Sequence, residues 1–513
     1  MELESLPLLG FLVSLIFLLL FKHVVSICTC TAPGKPRLPP GPWKLPLLGS
    51  LHHVLLSRYS NLPHRALREL SGIHGPLMLL RFGVVPTLVV SSADAAREVL
   101  KTHDTAFASR HLSPTLAVFS RGGQDILFSP YGDLWRQLRR VCVLELLSTR
   151  RVQSLRHIRE DETAGLVRSL ADECARTGGV GAVVVDIAER MSHVINNVVV
   201  RSAIGSRCPR RDEFVREVDE SVKLTAGFNL ADLFPSSTLA HWLSGGLRKA
   251  ERCNQQMCDI MKDIILERTT TAGAHGRSDG EEDILSVLLR VQSDGGVQCA
   301  LTTEIITTVI LEIFAAGSGT SSTTLEWAMS ELVMNPHLLR RAQAEVRGAF
   351  KGQSKITEGD VGKLSYLHLV IRETLRLHAP VPFLLPRQCR ERCEVMGYDI
   401  PEGTKVLVNT WAMCRDGAYW EDAEEFKPQR FEASTAMDFK GGDFEFIPFG
   451  AGRRMCPGVA LGLANIELVL ASLLYHFDWE LPSGDELDMS ESFGITIRRK
   501  SKLVLRATQR VFH

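Results

Sequence analysis

The residues best equipped for chemistry lie in one short run, Phe449-Gly450-Ala451-Gly452-Arg453-Arg454-Met455-Cys456-Pro457-Gly458. Gly450 and Gly452 permit tight backbone turns that a Cβ would hinder. The spacing predicts Cys456 at the N-cap of a helix and Pro457 at its first position, where a missing N–H costs nothing. The apolar run 459–477 then forms the helix body. A sulfur at that end faces unpaired amide donors and the positive end of the helix dipole, which favours the thiolate. With no second Cys or His at ligand spacing, such a thiolate suits a single axial bond rather than a zinc cage. A buried structural cysteine ahead of a core helix is the alternative.

Four other groups of residues carry chemical potential. Trp135 and Arg139 lie four apart on one helical face, an indole donor beside a forked cation, suited to a buried carboxylate. On residue types alone they fit a solvated basic helix equally well. Ala315-Ala316-Gly317-Ser318-Gly319-Thr320-Ser321-Ser322-Thr323-Thr324 interrupts an apolar helical pattern with glycines and hydroxyls. Each glycine costs roughly 1 kcal/mol against alanine inside a helix. That cost suggests a local distortion, close approach of another body, or a small-residue groove for helix packing. The hydroxyls can bond back to carbonyls and open the helix to water. Glu373 and Arg376 share a helical face three apart, and Arg430 stands in Pro428-Gln429-Arg430-Phe431. Arg387 closes the apolar stretch Val381-Pro382-Phe383-Leu384-Leu385-Pro386.

The elements that must position these groups are mostly helical. Residues 303–334 read as one long apolar helix, with Thr302 or Thr303 as cap and Pro336 past its end. Residues 131–147 and most of 150–262 also read as helix, interrupted at Gly178-Gly179 and Pro235. Strands are predicted at 77–81, 87–90, 395–400 and 405–409. A helix at 93–102 is capped by Ser92. Residues 107–121 lack clear periodicity, and 269–280 is polar and glycine-rich, a loop pattern.

The chain of 513 residues is 45% hydrophobic and 23% charged, a globular composition. Its 59 basic and 59 acidic residues balance, which argues against a bulk electrostatic partner such as nucleic acid. Twelve cysteines in such a length do not make a dense disulfide framework. Cys28, Cys30, Cys389 and Cys393 read as free thiols, consistent with a reducing compartment. Residues 5–21 carry no charge and would cover about 25 Å as a helix, extendable to Ile27, enough to span a bilayer. Glu2 and Glu4 precede that run, while Lys22, Lys35, Arg37 and Lys44 follow it. This is the reverse of a cleaved signal peptide, and the basic flank should stay cytoplasmic. Pro36-Arg37-Leu38-Pro39-Pro40-Gly41-Pro42 then forms a stiff extended spacer. The expected divisions are an anchor at 1–27, a basic, proline-rich hinge at 28–45, and a catalytic body at 46–513.

The pattern Phe449-x-x-Gly452-x-Arg454-x-Cys456-x-Gly458 resembles the full haem-binding signature of the cytochromes P-450, the haem-thiolate monooxygenases. The resemblance covers nearly the whole chain and implies their mainly α fold with a small β-rich subdomain. It implies haem b with Cys456 as axial thiolate, which pushes electron density to the iron and favours O–O cleavage. Phe449, Arg454 and Gly458 would belong to the cofactor loop. Trp135, Arg139 and Arg387 would meet the haem propionates. Glu373, Arg376 and Arg430 would form a structural triad for folding and haem retention, with Gln429 where the family more often has Glu. The glycine-rich helix resembles the oxygen-activation segment. Ala316, Gly317 and Thr320 match it, but Gly319 occupies the position of the usual acid. Thr320, with Ser318 or Ser321 and ordered water in the room left by Gly319, would deliver protons. Residues 107–121, 381–386 and Ser492-Phe493-Gly494-Ile495-Thr496 would touch substrate.

The order and spacing resemble the large plant microsomal group, particularly grass enzymes of specialised metabolism; residues 227–235 match a segment common in plant members. The reaction implied is insertion of one oxygen atom of O₂ into a lipophilic molecule. A terpenoid, above all a diterpene, is the first substrate class, and a phenylpropanoid or alkaloid precursor the second. Electrons would come from NADPH through a membrane flavoprotein reductase, with cytochrome b5 as a further donor. Arg136, Arg140, Arg150 and Arg151 offer a docking face. The location implied is the endoplasmic reticulum membrane, single-pass, with a monomeric catalytic unit in the cytosol. A reductase-independent haem-thiolate isomerase or dehydratase, and a haem-binding sensor, are the rivals.

Overall fold

The computed structural model describes residues 36–176, 181–205, 210–225, 229–272, 282–295, 301–432, 437, 439–482 and 486–510. The expected anchor at 1–27, Cys28, Cys30 and Gly178-Gly179 lie outside these residues. The architecture is mostly helical, with small β-sheets.

One sheet has five strands: β1 (Leu77–Phe82), β2 (Val85–Val90), β3 (Ser109–Arg110), β4 (Arg387–Gln388) and β5 (Lys405–Val408). Their spatial order is β1-β2-β5-β4-β3. Strands β1 and β2 form an antiparallel hairpin, and β2 runs parallel to β5 with Thr87 opposite Lys405. A second sheet joins Ala182–Asp186 and Phe477–Glu480 on either side of Val504–Gln509. The strand Ala182–Asp186 falls in a stretch that reads as helical from sequence. Its Val183-Val184-Val185 run pairs with a partner over three hundred residues away, which no local pattern announces.

Five helices frame the site: α1 (Asp133–Val141), α2 (Ile187–Ile204), α3 (Thr303–Met334), α4 (Ser365–Leu377) and α5 (Val459–His476). The longest, α3, packs against α2, α4 and α5. Thr302 caps it by accepting the Ile305 amide at 3.3 Å, and Pro336 opens the next helix. Its buried Ile, Val, Leu, Phe and Trp side chains each contribute about 1.5–3 kcal/mol, which outweighs the two interior glycines. Helices α3 and α5 are long and apolar enough to cross a membrane, but both lie largely inside the protein and serve as core.

Several local expectations change in three dimensions. The helix Gly245–Ala272 continues through Thr269 and Thr270, whose hydroxyls bond back to carbonyls three and four residues earlier. The proline-rich segment is not a free spacer from Arg37 onward. The Leu79 amide donates to the Pro40 carbonyl at 2.9 Å, and Arg37 exchanges bonds with Asp399. Gly41 is required there, because a Cβ would lie 2.5 Å from the Leu79 oxygen. Cys389 and Cys393 are free thiols, yet their sulfurs approach to 3.9 Å.

Candidate active site

The cysteine loop is held by its backbone. Gly450 and Gly452 take φ of 73° and 68°, and a Cβ on Gly452 would lie 2.2 Å from the Leu100 carbonyl. The Cys456 amide donates to the Phe449 carbonyl at 2.9 Å, closing the turn. The Phe449 ring meets Phe439 edge-on at 5.3 Å. Helix α5 begins at Val459 with Gly458 as its cap residue, so Cys456 stands two residues ahead of the cap rather than on it. The Gly458 amide still reaches the Cys456 sulfur at 3.4 Å. The sulfur opens to the cleft but sits deep in the body, and burial raises its thiol above the ordinary value. The Gly458 amide and Arg139 pull the other way without prevailing. Burial therefore opposes the thiolate that the helix end favours. Among the described residues no cluster of three His, Cys, Asp or Glu could cage a metal.

Beside the loop lies a crowd of cations. Arg454 donates from Nε to Ala108 O at 2.7 Å, from Nη1 to Ile126 O at 3.4 Å, and from Nη2 to Ser129 O. Its guanidinium lies 4.2 Å from the centre of the Trp135 ring. The Trp135 indole N–H donates to the Ile126 carbonyl at 3.2 Å, so this residue supports Arg454 instead of aiming a free donor into the cleft. Arg139 donates to the Met455 carbonyl at 2.5 Å. Arg387 donates to Asp104 at 3.1 Å and to the Ala451 carbonyl at 2.8 Å. Arg110, unmarked in the sequence, donates to the Leu127 and Leu385 carbonyls at 3.0 and 2.6 Å. Burial and then mutual repulsion lower Arg110 well below its ordinary value and Arg454 to about 9.

Two carboxyls tie this crowd to α3. The amides of Ile126 and Leu127 donate to Glu312 at 3.0 and 3.3 Å, and those of Phe128 and Ser129 donate to Asp125 at 2.7 and 2.6 Å. Burial raises both acids, Glu312 furthest.

On α3 the small residues divide by direction. Gly317 admits Val199 of α2, whose methyls would lie 3.5 and 3.7 Å from an added Cβ, so part of the segment is a packing groove. Gly319 faces Arg498, whose Nη2 would lie 3.1 Å from an added Cβ. Ser318 and Ser321 are buried, with Ser321 Oγ 3.9 Å from the Cβ position of Gly462 on α5. Ala316 is exposed and Thr320 partly so, and the Thr320 hydroxyl donates to the Ala316 carbonyl at 2.7 Å. The hydroxyls bond back, but α3 stays continuous through the segment.

The three segments expected at substrate converge. His111, Ser113 and Leu116, then Pro382, Phe383 and Leu384, and Phe493, Gly494 and Ile495 line one cavity with Lys405 and Leu407 of β5. The turn after Ile495 runs on to α3, where the Ile497 carbonyl accepts the Trp327 indole at 3.1 Å.

Glu373, Arg376 and Arg430 also come together. Arg376 donates to both Glu373 oxygens at 2.7 and 2.8 Å, and Arg430 to one of them at 2.9 Å. The remaining guanidinium donors take the Cys414, Ala423, Glu421 and Glu425 carbonyls. Gln429 is exposed, so its departure from Glu falls at the surface.

A model of the family described as Cytochrome P-450 matches residues 39–506. The chain belongs to the cytochrome P-450 family. It is similar to the dolabradiene monooxygenase of Zea mays, with 51% identity over 93% of each chain. The ent-cassadiene hydroxylase of Oryza sativa subsp. japonica is 48% identical over 96% of this chain and 94% of that protein. A zebra fish cytochrome P-450 solved with abiraterone has a TM-score of 0.73 at 27% identity, covering 88% of this chain and all (100%) of that one. This P-450 is a monooxygenase whose cofactor is haem b on a cysteine thiolate.

The residues present fit that group. A single exposed sulfur suits one metal bond, and the buried guanidiniums of Arg110, Arg387 and Arg454 repel one another while Asp104 and Asp125 oppose them. Two propionates would supply the missing negative charge. Sequence reasoning missed Arg110, Asp104 and the Asp125–Glu312 pair. Arg110, Asp104 and Glu312 act through distant partners, while Asp125 takes amides three and four residues on, and none stands at a recurrent spacing.

Proposed function

We propose that this P-450 hydroxylates a lipophilic plant terpenoid, with diterpenoids as the first class to test. What supports the reading most is the convergence of three separate segments on one largely apolar cavity. The activities for which its maize and rice relatives are named support it further. In this reading Cys456 would hold the haem iron through its sulfur, to which the Gly458 amide donates. Phe449 and Arg454 shape the loop, while Arg139, Arg387 and Arg110 meet the propionates and Trp135 props Arg454. Haem supplies the reductive activation of O₂ and insertion of one oxygen atom into a C–H bond, the other leaving as water. Thr320 holds a proton at Oγ1 on the exposed face of α3 and, swung off the Ala316 carbonyl, passes it into the cleft. Gly319 carries no acid at that position, where the Arg498 guanidinium approaches instead.

Electrons come from NADPH through a flavoprotein reductase, with cytochrome b5 as a second donor. Exposed Arg136, Arg140 and Arg150 offer the docking face. Arg151 drops out, because it is half-buried and paired with Glu282. The body is monomeric and held on the cytosolic face of the endoplasmic reticulum by residues 1–27. Exposed Trp43, Leu47, Leu56, Leu239 and Trp242 support contact with lipid.

The test is a microsomal assay with reductase and a panel of terpenoids, phenylpropanoids and alkaloid precursors, with and without NADPH, products read by mass. NADPH-dependent addition of one oxygen to a terpenoid is expected. Product without NADPH identifies an isomerase or dehydratase and overturns the reading. In parallel, Cys456→Ser should abolish the thiolate-type Soret band of the reduced carbon monoxide complex. A spectrum unchanged by that substitution removes Cys456 as ligand.

A further inference from the structure

The cavity holds one group that the oxidation chemistry leaves unused. Along β5, Lys405 and Leu407 face the cavity while Val406 and Val408 fill the core behind the sheet. Thr87, the register partner of Lys405 on β2, lines the same space. Among the described residues no carboxylate forms an ion pair with the Lys405 ammonium. The opposing charge that bears on it is Asp232, also in the lining. Both Asp232 oxygens are already engaged: Oδ1 accepts the Thr115 amide at 3.0 Å, and Oδ2 accepts Asn229 Nδ2 at 2.6 Å. His111 is the other titratable neighbour. Burial and the Lys405 charge lower it to about 3, so it stays neutral and offers no anion.

An ammonium set in an apolar wall without a bonded partner is costly, and a complementary anion offsets that cost. Burial lowers Lys405 to about 8, which leaves most of it charged at neutral pH. The enclosed space is about 70 Å³, enough for a headgroup and far below the roughly 300–1,000 Å³ of a whole ligand site. Phe383, Leu384 and Phe493 give the cavity an apolar wall beside Lys405. A carboxylate adds an opposite charge to the bond that the ammonium donates, which a hydroxyl does not. Asp232 in the lining disfavours a dianion such as a phosphate ester.

We propose that the Lys405 cavity is a subsite for the carboxylate of an amphipathic lipophile, seating the acid against the ammonium with the hydrocarbon along the apolar wall. This rests on the reading of a lipophilic substrate above and narrows it to an acid, such as a terpenoid carboxylic acid.

Equilibrium dialysis of the full-length haem protein with decanoate and with decan-1-ol tests it without turnover. Decanoate should bind about tenfold more tightly than the alcohol, which corresponds to about 1.4 kcal/mol. Lys405→Met and Lys405→Gln should remove that preference while leaving alcohol binding unchanged, and Lys405→Arg should keep it. The carbon monoxide spectrum checks that each variant folds. Equal binding of the two probes by the wild-type protein overturns the subsite alone. So does a preference that survives loss of the ammonium. Binding of neither probe sinks the lipophilic-substrate reading and the subsite with it.

Discussion

Thr320 sets the terms at the scale of single residues. Its hydroxyl rests on the Ala316 carbonyl at 2.7 Å, and the adjacent position that could carry an acid is Gly319, covered by Arg498. Ser318 and Ser321 are buried, whereas Thr320 is partly exposed. In the proposed reading, proton delivery rests on the Thr320 hydroxyl. A positioned proton donor contributes about 10²–10⁴ in rate. Thr320→Ala is expected to lower product formed per NADPH by about tenfold, with the remainder appearing as peroxide, while Thr320→Ser retains coupling. Measured peroxide and product yields at equal NADPH consumption decide it; unchanged coupling in the alanine variant removes Thr320 from proton transfer.

At the scale of elements, α5 carries the cofactor loop at one end and an uncomfortable carboxyl within. Burial, aided by Glu358, raises Glu467 from 4.5 to about 7. His368 lies 3.5 Å away, but burial keeps its imidazole from charging readily. The fold thus prefers protonated Glu467. Its contribution to stability is fully present below pH 4.5 and is lost as pH rises through about 7. The difference is worth at most about 3 kcal/mol, since a quarter of the side chain remains accessible. Glu467→Gln should raise the thermal midpoint at pH 8 and barely alter it at pH 5. An equal shift at both pH values would show that burial of the charge is not the cause.

At the scale of the molecule, Glu373 joins α4 to the segment between Cys414 and Phe431. Its side chain is fully buried, with both guanidiniums and the Lys427 amide on its oxygens. Breaking a buried ion pair by deleting one partner costs about 3–5 kcal/mol, because the other charge is left uncompensated. Here two arginines would be stranded. Glu373→Ala is expected to lower stability by at least that amount and to reduce haem content, whereas Gln429→Glu, at an exposed position, should change neither. Denaturant unfolding and the haem-to-protein absorbance ratio measure both effects.

Much of this was legible in the residues themselves. Caps at Ser92 and Thr302, the turn at Gly450 and Gly452, the span of α3 and the Glu373–Arg376 face all arise from partners three or four residues apart. Short-range sterics and hydrogen bonding act before the chain has folded, so sequence alone determined them. Tertiary structure decided the rest. It turned Gly317 toward a helix and Gly319 toward an arginine, and placed Lys405 in an apolar wall. It set Arg110 among like charges and buried Cys456 deeply enough to raise its thiol. Burial and charge environment depend on which distant segments meet, and no local spacing records that.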